Sequence, residues 1–371
     1  MGISANAAIC RSADTPFTIE EVTLDEPRAD ELVVRIAACG ICHTDMAVRD
    51  DHIPIPKPII LGHEGAGIVE QVGEGVTDVK PGDRVIISFN SCGECPNCDI
   101  DAPTYCYNFG PNNFSGLRAD GSHTAHIGEE PVQANFFGQS SFATRALAHA
   151  RNVVKVPESA ADIPLEQLAP LGCGLMTGAG GVLRSMAVRA GMPIAIFGTG
   201  AVGLGAVMAA KIAGADPIIA VDVHDARLEL ARERGATHCF NAKDDAIAKI
   251  GELCPQGLAY AFDTTGLKSV IEDAFGLVAP KGILGLVGAS PPTDMLSLSE
   301  SALMGGGKRV IGILGGDSNI QGFLEELIEH HVAGRFPYEG LIRVFPFDQI
   351  NEAFHAGESG DVVKPVLKMP A

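Results

Sequence analysis

The stretch from Pro193 to Ala213 constrains this chain more than any other. Ile194–Phe197 is a short apolar run that reads as a buried strand. Gly198-Thr199-Gly200-Ala201-Val202-Gly203 follows at once and opens the apolar helix expected over Ala201–Ala213. In such a turn the first glycine permits the sharp bend, the second lets backbone approach a pyrophosphate, and the third lets helix pack on strand. The helix N-terminus adds unpaired N–H groups and a partial positive charge. The next strand, Pro217–Val221, leads to Asp222, 24 positions after Gly198. A carboxylate there can accept hydrogen bonds from an adenosine ribose and repel a 2′-phosphate. The expected ligand is therefore NAD rather than NADP; the alternative is a tight turn and loop aspartate without a ligand.

The same alternation continues. Ala226–Arg234 and Ala246–Leu253 suit helices, while Tyr260–Phe262 and Ile283–Val287 suit strands. Strand–helix alternation with short connections predicts a parallel, doubly wound sheet. The first 150 residues read differently. Runs such as Leu32–Ala37, Gly67–Val72 and Arg84–Ser88 are bounded by Gly, Pro and Asp, a β-rich texture. Residues 107–140 are polar and read as a long, irregular surface insertion. After residue 315 come an acidic helix, Gln321–His331, and a strand, Leu341–Pro346. Length and texture predict two domains: a first one over 1–178, a sheet domain over 179–315, and a return to the first over 316–371.

Charge narrows the function. The net charge of −19 repels phosphate backbones and anionic lipid, so neither nucleic acid nor a membrane surface is an expected partner. The uncharged stretch 190–210 carries Pro193 and five glycines, which suit strand, turn and helix rather than a spanning helix. No basic-then-apolar leader is present, and Asn6 breaks the myristoylation pattern begun by Gly2. The expectation is a cytoplasmic, soluble protein.

Four of the ten cysteines, Cys92, Cys95, Cys98 and Cys106, fall within fifteen residues. Four thiolates so close can enclose a tetrahedral Zn2+ with no open position, which stabilises a loop rather than performing chemistry. An iron–sulfur reading fits less well, because seven residues separate Cys98 from Cys106, which is followed by Tyr107 rather than proline. Cys42, His63 and Cys173 are dispersed, and each alone could be a core residue. Together they supply two sulfurs and an imidazole, a set that leaves a fourth zinc position open.

Gly-Ile-Cys42-His-Thr-Asp, Gly-His63-Glu-Gly, the four-cysteine lobe, Gly-Cys173-Gly and the glycine turn with Asp222 stand in one order along the chain. In this the sequence resembles the zinc-dependent medium-chain alcohol dehydrogenases over essentially its whole length. Val48-Arg-Asp and Phe136-Phe-Gly-Gln-Ser-Ser-Phe-Ala-Thr are similar to the branch of benzyl alcohol and geraniol dehydrogenases. The resemblance implies an α/β chain, with a GroES-like β-rich catalytic domain and a doubly wound (Rossmann) cofactor domain. It implies two zinc ions per chain: one at Cys42, His63 and Cys173, one at the cysteine lobe.

Other roles rest on the same resemblance. Thr44 would take the substrate hydroxyl proton, Asp45 would steady the histidine ligand, and Glu64 would sit behind the metal and enter its coordination during ligand exchange. His43 and Lys364 would contact the cofactor pyrophosphate, with Thr177, Ala201, Val202 and Arg227 also in the NAD site. Phe89, Phe136 and Phe137 would line an apolar substrate channel. Relatives of the liver type carry a proton-relay histidine five positions after the first ligand; here Ala47 stands there, and Arg49 is the nearest polar side chain. The implied reaction is reversible oxidation of a primary aromatic or allylic alcohol to its aldehyde by hydride transfer from a zinc-bound alkoxide to NAD. Alternatives are a glutathione-dependent formaldehyde dehydrogenase and a zinc-binding sensor of NAD without turnover. A homodimer is expected, joined in relatives through the strand corresponding to Arg309–Leu314, with a tetramer as the alternative.

Overall fold

A computed structural model describes residues 2–13, 15–291 and 293–370. The chain divides into two units, one of residues 1–173, 319–332 and 338–371, the other of residues 174–318 and 333–337.

The first unit is built on strands. Glu31–Gly40 is its spine: Leu, Val and Ile make it nearly continuous in apolar side chains, and almost all of it is buried. It pairs antiparallel with Glu64–Val72, Arg145–His149 and Lys364–Lys368, in a seven-stranded sheet. A second, five-stranded sheet is built around Ile3–Cys10 and Thr18–Leu24. Glu64 opens the strand Glu64–Val72 and lies opposite Gly40 in the register. Two residues beyond Gly40, Cys42 caps the helix His43–Arg49. A strand end and a helix start therefore bring the Cys42 and His63 segments together.

Residues 107–140 correct the expectation of an irregular surface insertion. They contain the helix Phe109–Phe114 and a hairpin, Ala125–Ile127 and Glu130–Val132, which extends the five-stranded sheet. Arg118 is buried here. Its Nε and Nη2 donate to Glu31 at 2.6 and 3.0 Å, and its Nη1 donates to Asp25 at 2.7 Å. Breaking such a buried pair from one side costs about 3–5 kcal/mol. Polar composition concealed this packing, because the polar groups are paired rather than hydrated.

The second unit is a six-stranded sheet in which every pairing is parallel. Its order is His238–Asn241, Ile218–Asp222, Ile194–Phe197, Leu258–Asp263, Val278–Leu286, Arg309–Gly312. The first strand in sequence thus sits in the middle, with its successors to either side. This is the doubly wound arrangement, whose ligand crevice lies beyond the carboxyl ends of the strands at that switch point. All four residues of Ile194–Phe197 are buried, as the apolar run predicts. The helix Ala201–Ala213 stops at Gly214, which takes the left-handed conformation at φ 74°. The uncharged stretch 190–210 is thus strand, turn and helix, and no helix among the described residues is long and apolar enough to cross a membrane.

Candidate active site

Asp45 organises the first constellation. It lies in the first turn of the helix capped by Cys42 and is fully buried. Its Oδ2 accepts from the Cys42 amide at 2.9 Å, and its Oδ1 accepts from the Gly62 amide and from His63 Nδ1, both at 3.0 Å. A carboxylate on Nδ1 fixes the imidazole so that Nε2 is the free nitrogen. His63 Nε2 is buried with no hydrogen-bond partner, and so is Glu64 Oε2. Cys42 Sγ and Cys173 Sγ stand 3.9 Å apart, and Cys42, His63, Glu64 and Cys173 each offer a ligand atom within 4.8 Å of the others. A tetrahedral zinc with sulfur at 2.3 Å separates two thiolates by about 3.8 Å. Two buried orphan atoms and this sulfur spacing fit a zinc ion. The Cys173 thiol holds Cys42 well below the ordinary thiol range, against burial, so Cys42 is the ready thiolate of the pair.

Glu64 is pushed up to about 7 by burial, against the pull of Lys364. Lys364 Nζ donates to Glu64 Oε1 at 2.6 Å and to the Ile41 carbonyl at 3.0 Å, and the residue is only 3% exposed. The cation expected at a pyrophosphate thus has a different partner, the buried carboxylate behind the ligand set. Gly40 makes room for that carboxylate: a Cβ there would meet Glu64 Oε2 at 1.9 Å. His43 is exposed at the start of its helix. Thr44 Oγ1 lies 3.8 Å from Cys42 Sγ. Ala47 brings no titrating group. Arg49 is bound to Asp50 at 2.6 and 2.8 Å, reaches Glu358, and lies over the Phe354 ring at 5.1 Å. Its guanidinium is therefore neutralised where it sits.

An aromatic wall covers the imidazole. Phe137 stacks on the His63 ring, centroids 4.5 Å apart at 24°, and Phe136 meets it edge-on at 5.5 Å. Phe137 does so at φ 52°, ψ 32°, a left-handed conformation that costs an aromatic residue about 1–3 kcal/mol. Phe109 and Phe114, from the helix Phe109–Phe114, pack on Phe137 at 6.3 and 5.0 Å, and Phe89 meets Phe109 at 5.8 Å. Sequence reasoning found Phe89, Phe136 and Phe137 but missed Phe109 and Phe114. The available signal was a pair of phenylalanines inside a polar tract.

In the cysteine lobe the sulfurs of Cys106 and Cys92, Cys95 and Cys98, and Cys95 and Cys106 lie 3.4, 3.5 and 4.0 Å apart. Backbone amides of Tyr107, Cys92 and Asn108 point at Cys95 and Cys106 sulfurs within 3.4 Å. The Tyr107 amide is the main cause that brings Cys95 down to about 6, whereas burial pushes Cys106 up to about 12. Four thiols around one point, with amides aimed at the sulfurs, fit a closed Zn2+ site.

In the second unit the glycines do what the motif requires. Gly198 sits at φ 88°, and a Cβ on Gly203 would fall 1.9 Å from the Gly198 carbonyl oxygen. Nothing lies within 4 Å of a Cβ built on Gly200, so the turn is open where a pyrophosphate would approach. Ala201 and Val202 are the first two residues of the helix behind it. Asp222 Oδ2 accepts from Thr199 N and Oγ1, both at 2.7 Å, and Oδ1 accepts from the His224 amide at 3.0 Å. The carboxylate thus braces the glycine turn, a role the sequence did not suggest. Arg227 is half-buried, with Nε unpartnered, on the helix Asp225–Arg234. Thr177 lies in the helix Gly174–Gly180. These groups fit a dinucleotide.

Comparison with known proteins decides the family. Residues 28–158 match the alcohol dehydrogenase GroES-like domain, and residues 201–329 match the zinc-binding dehydrogenase domain. The geraniol dehydrogenase of Castellaniella defragrans is 44% identical over 368 residues, 98% of each chain. The chain belongs to the zinc-dependent medium-chain alcohol dehydrogenases.

Among solved structures, an alcohol dehydrogenase zinc-binding domain protein from Burkholderia ambifaria superposes with a TM-score of 0.97 at 44% identity, covering 100% of both chains. The benzyl alcohol dehydrogenase of Acinetobacter calcoaceticus gives 0.95 at 37% identity, covering 99% of this chain and 100% of that one. Both relatives with named substrates fall in the aryl and allylic branch that the Phe136–Thr144 run resembles. In this alcohol dehydrogenase the GroES-like match contains Cys42, His63 and the cysteine lobe, and the second match opens on Ala201.

Proposed function

We propose that the protein is an NAD-linked alcohol dehydrogenase that oxidises primary aromatic and allylic alcohols to aldehydes, reversibly, with two zinc ions per chain. One observation carries the substrate class: the His63 imidazole is roofed by a stacked, flat aromatic side chain, and four more phenylalanines continue that surface. Such a wall favours flat, unsaturated substrates and excludes water. Cys42, His63 and Cys173 would hold the catalytic zinc, and Cys92, Cys95, Cys98 and Cys106 the structural one. Gly198, Gly200, Gly203, Ala201, Val202 and Asp222, with Thr177, Arg227 and His43, would bind NAD; Lys364 now reads as the counter-ion of Glu64 instead.

Bound zinc would supply a Lewis acid that lowers the pKa of an alcohol, and NAD the hydride acceptor. The chain's own residues do the rest. Asp45 holds His63 in the tautomer that presents Nε2. Thr44 Oγ1, beside Cys42, would relay the proton leaving the alcohol, accepting it while passing its own hydroxyl proton outward. Glu64 Oε2, unpartnered behind the ligand set, is the oxygen available for ligand exchange, and Lys364 stabilises its charge. With Ala47 in the relay position and Arg49 tied to Asp50 and Glu358, the proton that Thr44 gives up would pass to water rather than to an imidazole.

Residues 1–178 and 316–371 would carry the catalytic role and residues 179–315 the cofactor, in a cytoplasmic homodimer. Arg309–Gly312 is an edge strand of the cofactor sheet, the kind of edge that association covers. A stable monomer in sedimentation at micromolar concentration would remove the dimer. NADH formation is the test of function, measured with benzyl alcohol, geraniol and S-hydroxymethylglutathione. Turnover of the first two supports the reading. Turnover of the third alone would make this a formaldehyde dehydrogenase, and NADH binding without any turnover a sensor.

A further inference from the structure

Gln139 is fully buried and uses its whole hydrogen-bonding capacity. Its Nε2 donates to the His63 carbonyl and to the Ser88 carbonyl, both at 2.9 Å. Its Oε1 accepts from the Gly65 amide at 3.0 Å and from Ser141 Oγ at 2.7 Å. One amide therefore joins three segments: the backbone of His63, the residue before Phe89, and the turn that carries Phe136 and Phe137. The joint is close-fitting, for a Cβ on Gly65 would meet Ser141 Oγ at 2.3 Å and Gln139 Oε1 at 2.8 Å.

The turn it holds is strained. Phe137, Gly138 and Ser140 all take positive φ, at 52°, 64° and 50°. Non-glycine residues persist there only when their surroundings over-determine them, and such strain gathers at functional sites. The surroundings do so here. Asn152 Nδ2 donates to the Phe137 and Gly138 carbonyls at 3.0 and 3.1 Å. Ser140 Oγ accepts from the Phe136 amide at 2.9 Å and donates to the Ile60 carbonyl at 2.6 Å. Gln139 alone among these ties the turn to the backbone of the imidazole on which Phe137 stacks.

We propose that Gln139 is a positioning residue that sets substrate preference: by bonding the His63 and Ser88 backbones to the strained 136–141 turn, it fixes Phe137 flat on the imidazole as a shelf for planar alcohols. This rests on the aromatic and allylic reading above. The shelf discriminates by shape. A flat ring slides along it, whereas a puckered saturated ring of the same carbon count meets the phenylalanines edge-on. If the shelf could rock, the planar substrate would lose its advantage while the saturated one would lose little.

The test compares benzyl alcohol with cyclohexylmethanol by kcat/KM. Binding of benzamide and cyclohexanecarboxamide to the holoenzyme with NADH, measured by calorimetry, gives a readout independent of turnover. Gln139→Glu keeps the volume and an accepting oxygen but can donate to at most one of the two carbonyls. It should narrow the planar-over-saturated ratio about tenfold in both measurements, through a raised KM for benzyl alcohol, with kcat for cyclohexylmethanol nearly kept. Val33→Ala, a cavity variant in the same unit, should lower Tm and leave the ratio unchanged. Should Gln139→Glu fail to fold, Ser141→Ala removes one of the four bonds and should narrow the ratio about threefold.

A ratio in the folded variant within about twofold of the wild type, or equal narrowing in Val33→Ala, would overturn the proposal and leave the substrate class standing. A wild type with no planar preference would overturn both.

Discussion

The two cysteine-bearing sites of this chain are built in opposite ways. The lobe Cys92–Cys106 draws its four sulfurs from fifteen residues, and its regular structure is one four-residue helix and one three-residue turn of helix. Around them Ile100 is 74% exposed and Tyr107 68%. The other set, Cys42, His63 and Cys173, comes from a helix cap, the start of a strand and the end of a helical turn. There Asp45, Glu64 and Lys364 are buried with defined partners. The lobe lacks an apolar core, so a bound metal would be what orders it. The buried pocket has a scaffold that orders its ligands in advance. Loss of metal should therefore unfold the first locally and silence the second chemically.

The sharpest contrast comes from removing one ligand from each. Cys173→Ala should abolish turnover, a fall of at least about 10³-fold, while Tm moves by only a few degrees, as followed by NADH absorbance and calorimetry. Thr44→Ala comes next. Loss of the first proton acceptor should cost about 10²–10⁴ in kcat, and Ala47→His should add a limb near pH 6–7 to the alcohol-oxidation profile. If Thr44→Ala retained most activity, the proton route would be wrong.

Cys95→Ser should do the reverse of Cys173→Ala. Its main effect is on the fold, with Tm lowered by about 10 °C or more and zinc lost from the lobe, because metal binding there is folding free energy. A Cys95→Ser protein as stable and as zinc-replete as the wild type would erase the contrast.

Smaller effects sharpen the comparison from outside the two sites. Asp222→Ala should narrow the NAD-over-NADP preference about tenfold by removing charge repulsion, with some loss of NAD affinity because Thr199 loses its acceptor. Equal wild-type efficiency with both cofactors would contradict the role of Asp222. Arg49→Ala should have the least effect on activity, since its guanidinium already serves Asp50 and Glu358. A loss exceeding that of Thr44→Ala would show that the cation acts in the proton route.

The same contrast explains what the sequence could reveal. The lobe was legible as spacing, because its four cysteines are neighbours in the chain. The doubly wound sheet was legible too: its buried strands are apolar runs, and Ala201–Ala213 and Ala246–Leu253 form as read. Cys42, His63 and Cys173 could be grouped by residue type, but only resemblance assigned them to one metal, for no local rule joins residues so far apart. Hidden altogether were the features made by long-range polar pairing. Arg118 with Glu31, Lys364 with Glu64, and Gln139 with His63 are each ordinary polar residues until the fold buries them together. The wall-forming Phe109 and Phe114 were hidden for the same reason, since only packing turns a polar tract into a roof.

Zinc content measured beside stability tests the two-site account most directly. Wild-type protein should hold two zinc ions per chain, Cys173→Ala one with its fold intact, and Cys95→Ser one with its melting temperature lowered. Wild-type protein with its cysteine lobe reduced that holds one zinc or fewer, or a Cys173→Ala protein that loses both zinc and fold, would contradict the division between a stabilising lobe and a reactive pocket.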